Sequence, residues 1–117
     1  MDKKEMQART KAFALRILNM VEALPRNVGG RALANQIVRS GTSVASNYRA
    51  ACRGRSKADF VAKLGIVEEE ADETLFWLEM IEEGGFLPSE QLAALMSEAD
   101  ELVAITVASI RTARGNH

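Results

Sequence analysis

Apolar residues return at alternating steps of four and three along four stretches of this chain, and each stretch is bounded by glycine or proline. That spacing puts them on one face of an α-helix, with its 3.6 residues per turn, and does not fit the period-two alternation of a strand. In the first stretch, about residues 3–24, the stripe is Met6, Thr10, Phe13, Ile17, Met20 and Leu24, widened by Ala14, Leu18 and Val21. Pro25 is expected to stop this helix, with Asn27-Val28-Gly29-Gly30 forming the turn. The second, about residues 30–53, carries Leu33, Ile37, Ser40, Val44, Asn47 and Ala51, and Gly54 suits a left-handed cap at its end. The third, about residues 56–83, opens on Ser56 as cap with Asp59 as its reciprocal acid, runs through Phe60, Leu64, Val67, Ala71, Thr74, Leu78 and Ile81, and closes at Gly84-Gly85. The fourth, about residues 89–113, starts after Pro88, follows Leu92, Leu95, Met96, Ala99, Leu102, Val103, Thr106 and Ile110, and ends near Arg111 and Arg114.

Short connections force neighbouring helices antiparallel, so the expected architecture is all-α: one domain of 117 residues folded as an up-down-up-down four-helix bundle. A long coiled coil shares the spacing but is disfavoured by the turn signals after each helix. Composition agrees, with 47% apolar and 26% charged residues, two prolines and 5% aromatics, as in an ordinary soluble helical chain. A lone cysteine, Cys52, excludes an internal disulfide, fits a reducing compartment and reads as a small buried hydrophobe. The lone histidine, His117, is the last residue, which removes imidazole from any metal or catalytic site in the body of the fold. Met1-Asp2-Lys3-Lys4-Glu5 leads into no apolar signal region, and the longest uncharged helical run, Leu102 to Ile110, is nine residues. The expectation is a cytoplasmic chain with no membrane partner.

Charge is split along the sequence. Residues 1–55 hold eleven Lys/Arg and three Asp/Glu, a net of +8, whereas residues 56–117 hold four and thirteen, a net of −9. Three explanations compete: exposed pairs between basic and acidic helices of one bundle, complementary faces between subunits, or a cationic face for phosphate. For the last, Arg16, Arg26, Arg31, Arg49, Arg53 and Arg55 on helices 1 and 2 are the candidate contacts with RNA or DNA.

Little here carries catalytic chemistry. The run Glu68-Glu69-Glu70-Ala71-Asp72-Glu73 lacks the Glu-x-x-His pairs that di-iron bundles use, no nucleophile–base pair can be built, and no Gly-rich phosphate loop is present. The expected protein is not an enzyme and holds no cofactor or metal. The anomaly is a polar stripe on helix 2: Gln36, Arg39, Ser40, Ser43 and Asn47 recur at steps of three and four, with Glu69, Glu70 and Glu73 of helix 3 as natural partners. A buried network is one reading and a lined site for a ligand or RNA is the other. Phe76 and Trp77 are adjacent, about 100° apart on a helix, so one ring is expected to cover a second apolar surface such as an oligomer interface.

The stretch from Leu33 to Ala51, with Gln36, Arg39, Ser40, Ser43 and Asn47 at their spacing, resembles the Gln-x-x-Arg-Ser-x-x-Ser-x-x-x-Asn signature of the four-helix bundle protein family, also called the 23S rRNA intervening-sequence protein family. The similarity extends over Ala23-Leu24-Pro25, Arg53 to Phe60 and Glu69 to Leu78. After Asn47 this chain has Tyr48-Arg49-Ala50-Ala51 where the commoner pattern is Ile-Ala-Glu-Gly, as in a subgroup. The resemblance implies an antiparallel bundle that assembles into a pentameric ring. Some members are encoded inside insertions in ribosomal RNA genes, and the fold is similar to that of a nucleic-acid-binding retroelement accessory protein.

These readings converge on a non-enzymatic, self-assembling bundle acting as a scaffold or interaction module. The alternative is a nucleic-acid-binding accessory protein using the basic face of helices 1 and 2. They also predict a buried or half-buried pair between Arg39 and Glu70 or Glu73. Removing the arginine from such a pair would cost about 3–5 kcal/mol.

Overall fold

Side-chain caps decide where three of the four helices begin. Asp2, Asn27 and Ser56 sit in extended backbone, and each accepts a hydrogen bond from the backbone N–H three residues on: Glu5 at 2.8 Å, Gly30 at 2.8 Å and Asp59 at 3.0 Å. The structure, a computed structural model describing residues 1–115, consists of α1 (Lys3–Met20), α2 (Val28–Cys52), α3 (Lys57–Glu83) and α4 (Ser89–Ala113), with no strand among the described residues. His117 lies outside the described residues.

The ends differ from the sequence expectation in ways that capping explains. Because Asn27 is the cap, α2 starts at Val28 rather than at Gly30. In place of a last α-turn, α1 tightens into a 3₁₀ turn over Val21–Ala23, and this turn delivers Leu24 into the core. Asp59 does not return a bond to Ser56; its carboxylate accepts from the Arg55 N–H at 3.3 Å and from Lys63 at 2.7 Å. Gly54 is not left-handed. Among the described residues only Gly85 and Gly115 have positive φ, and Gly85 at 73° is what closes α3. Gly54 is small for a different reason, since a Cβ there would lie 2.9 Å from Asp59 Oδ2.

Each helix packs against its neighbours in sequence, while α1 closes more loosely on α4, so α1 and α3 face one another across the diagonal. Phe13 and Ile17 of α1, Ile37 and Val44 of α2, Leu64, Val67, Leu78 and Ile81 of α3, and Leu92 and Leu102 of α4 are at most 1% exposed. Three threonines occupy stripe positions without cost, because the hydroxyls of Thr10, Thr74 and Thr106 bond to carbonyls one turn back at 3.0, 2.7 and 2.7 Å. Two apolar assignments change: Leu18 is exposed, and Cys52 is half-buried beside Tyr48. Burial, with the Cys52 thiol alongside, pushes the Tyr48 phenol well above its ordinary value.

The looser seam is tied by a fork that the sequence reading missed. Arg9 donates through Nε and Nη2 to the two oxygens of Glu98, at 2.7 and 2.8 Å, and also pairs with Glu101. This bidentate geometry holds the Glu98 carboxyl below its usual range and raises the Arg9 guanidinium further. The signal was weak in sequence because the partners lie 89 residues apart.

The packing and the fork make three variants informative. Gly65 lies inside α3 with nothing within 4 Å of a built Cβ, so Gly65→Ala should stabilise by about 0.5–1 kcal/mol in urea unfolding. Gly30→Ala should instead cost at least about 1–3 kcal/mol, because its Cβ would sit 1.9 Å from the Pro25 carbonyl oxygen. Glu98→Gln should cost on the order of 1–2 kcal/mol at neutral pH. The native carboxyl binds its proton less readily than the unfolded one, so this contribution is complete above the ordinary carboxylate range and is lost as acid protonates the native carboxylate. Unfolding curves of wild type and variant should therefore converge at low pH.

Candidate functional site

The α2 stripe that stood out in sequence faces α3, and the structure divides it into an inner and an outer part. Inside, Ser40 is fully buried and its hydroxyl lies 2.9 Å from the Thr74 hydroxyl, a buried polar link between α2 and α3. Outside, Arg39 reaches across to Glu70 at 3.2 Å and to Glu73, and Trp77 Nε1 donates to the same Glu73 oxygen at 3.1 Å. Ser43 and Asn47 bond to each other within α2, Asn47 Nδ2 donating to the Ser43 hydroxyl at 2.8 Å and to its carbonyl at 2.9 Å. Asn47 is half-buried rather than a core position. Gln36 and Glu69 are exposed and make no side-chain hydrogen bond among the described residues.

The stripe is thus three separate clusters rather than one buried network. The predicted ion pair forms with both expected acids and is half-buried rather than buried: the Arg39 side chain is 52% exposed, against 17% for Glu70 and 36% for Glu73. The physical reason is helical phase. Ser40 takes the inward position, so its neighbour Arg39 points outward and only its guanidinium returns to α3. Water screens such a pair.

Phe76 and Trp77 diverge as the helix requires. Their rings meet edge to face at 4.9 Å, with Trp77 half-buried against the bundle and Phe76 48% exposed. Phe76 belongs to an outer face of α3 that also carries Ile66 and Met80, 41% and 43% exposed, among the exposed acids Glu69 and Asp72.

The six arginines proposed for nucleic acid do not share a face. Alternation of helix direction sends Arg49, Arg53 and Arg55 to one end of the bundle and Arg26 and Arg31 to the other, where Arg31 donates to the Arg26 carbonyl at 3.2 Å. Arg16 lies on the α1 flank near Glu98. A groove of about 400 Å³ between α1 and α2 is lined by Lys11 and Arg49 with Gln7, Thr42 and Ser46. Among the described residues no three His, Cys, Asp or Glu side chains converge on a metal-sized site.

Exposure sets the expected cost of breaking the α2–α3 pair. Arg39→Met should lower stability by no more than about 1 kcal/mol, well short of the cost of a buried pair. Urea midpoints of wild type and variant test this, and a much larger loss would mean that the pair is dehydrated in solution.

Comparison with known proteins gives no match among curated proteins. Among solved structures, a protein of unknown function from the S23 ribosomal protein family of Bacteroides thetaiotaomicron superposes with a TM-score of 0.84 and is 32% identical, covering 90% of this chain and 97% of that one. The model of the family described as 23S rRNA-intervening sequence protein matches residues 2–108. With the signature residues on α2, the four-helix architecture and a family match over nearly its whole length, the chain belongs to the 23S rRNA-intervening sequence protein family.

Proposed function

We propose that this chain is a non-catalytic interaction module that assembles with copies of itself. The observation that carries the reading is the outer face of α3, where Ile66, Phe76 and Met80 are each more than two-fifths exposed. A monomer gains nothing by wetting three large side chains on one helix face, and such patches mark contact surfaces. The outer face of α1 offers a counterpart: Leu15 and Leu18 are 59% and 39% exposed, next to exposed Lys11. One face is apolar and acidic, the other apolar and basic, so contact between them buries both and pairs opposite charges.

Since α1 and α3 lie across the diagonal, the two faces point away from each other and cannot meet within one bundle. A contact between unlike patches is head-to-tail, and repeating it gives a closed ring when the rotation closes. The ring of five implied by the resemblance is one such closure.

Light scattering at micromolar concentration tests the reading. Wild type should run well above its chain mass of 12.8 kDa, near five times that value for a pentamer. Phe76→Glu and Leu15→Glu should each give a helical monomer, and raised salt should weaken the wild-type assembly. A monomeric wild type, or two variants that assemble like wild type, would overturn it.

A further inference from the structure

The fold gathers basic side chains from both halves of the sequence at one end of its long axis. The starts of α1 and α3 and the ends of α2 and α4 meet at one end of a bundle 45 Å long. Contacts confirm the gathering: Lys3 Nζ lies 4.6 Å from the centre of the Phe60 ring, and Lys57 and Arg114 line one shallow pocket. Arg49, Arg53, Arg55, Lys57, Arg111 and Arg114 are all exposed at this end, and none forms an ion pair among the described residues. Lys3 and Lys4 add to them, while the local acids are Asp2, Glu5 and an Asp59 already paired with Lys63. Two helix N-termini and two C-termini meet here, so their dipoles offset one another and the side chains set the field.

We infer that this cationic end docks on the phosphate backbone of a nucleic-acid duplex. The end measures 23 × 19 Å, a span over which a duplex presents about a dozen phosphate charges. Overall acidity does not prevent this. Glu68, the first acid of the α3 run, lies eleven residues beyond Lys57, about 16 Å away along the helix. That is roughly two Debye lengths at physiological salt, so the basic end acts on its own. A single strand is the poorer fit, because it binds by stacking on exposed rings. Here Phe60 is half-buried and Tyr48 is buried, while exposed Phe76 lies about 28 Å along α3 from Lys57. Lys and Arg contacts to phosphate carry no sequence information, so the contact is independent of sequence. It requires no assembly of subunits.

Fluorescence anisotropy with labelled duplex DNA, duplex RNA and single strands, from about 50 to 200 mM salt, tests the inference. Wild type should bind both duplexes more tightly than either single strand, with affinity falling steeply as salt rises. The double variant Arg53→Glu/Arg55→Glu should bind at least tenfold more weakly, with a salt slope shallower by about two. Arg26→Glu/Arg31→Glu, at the far end, should stay within twofold of wild type. Circular dichroism checks folding, and Lys57→Gln/Arg114→Gln is a milder second probe should the first variant unfold. The inference is overturned if wild type ignores duplexes at low salt, if both ends matter equally, if single strands bind as well as duplexes, or if anionic vesicles compete for the protein better than duplex does.

Discussion

Four helices each carry one apolar stripe, and no helix can hide its stripe alone, so Phe13 and Ile17 must meet Ile37 and Val44, and these must meet Leu64, Leu78 and Leu102. With connections as short as Arg53–Ser56, the helices can satisfy that requirement only by alternating direction. Alternation then decides which surface residues become neighbours. It sends Arg49 and Arg53 to the end that holds Lys57 and Arg114, carries Arg26 and Arg31 away from them, and leaves the outer faces of α1 and α3 on opposite flanks. The distribution of charge and exposed apolar surface is a consequence of core burial.

The core and the class of fold were legible because helical periodicity is a local signal. Leu64, Val67, Ala71, Thr74, Leu78 and Ile81 are all buried at the predicted phase, and the threonine among them is tolerated through its own turn's carbonyl. Ends were less legible, since Asn27-Val28-Gly29-Gly30 reads as a turn until the cap hydrogen bond from Gly30 to Asn27 is seen. Relations between distant segments were least legible. The Arg9–Glu98 fork joins the first helix to the last, and no spacing along the chain encodes it. Pairing of Arg39 with Glu70 and Glu73 was readable from equal distances to the α2–α3 turn. Its exposure was not, because one residue of helical phase separates buried Ser40 from outward-facing Arg39.

That one-residue difference changes what the α2 signature means. Ser40 and Thr74 form a buried polar contact between helices, and a link of this kind favours one register of α2 on α3 over its neighbours. Arg39 lies outside that argument, for an exposed pair contributes little to stability. What it does contribute is order at the surface. One Glu73 oxygen accepts from both Arg39 and the Trp77 indole N–H, so a guanidinium and a large ring are fixed side by side next to exposed Phe76. Side chains already held in place lose less freedom when another surface meets them, about 0.5–1.5 kcal/mol for each rotamer-rich group that need not be immobilised. The outer half of the signature therefore makes physical sense as preparation for contact, at the edge of the same α3 face whose apolar residues remain uncovered in the single chain.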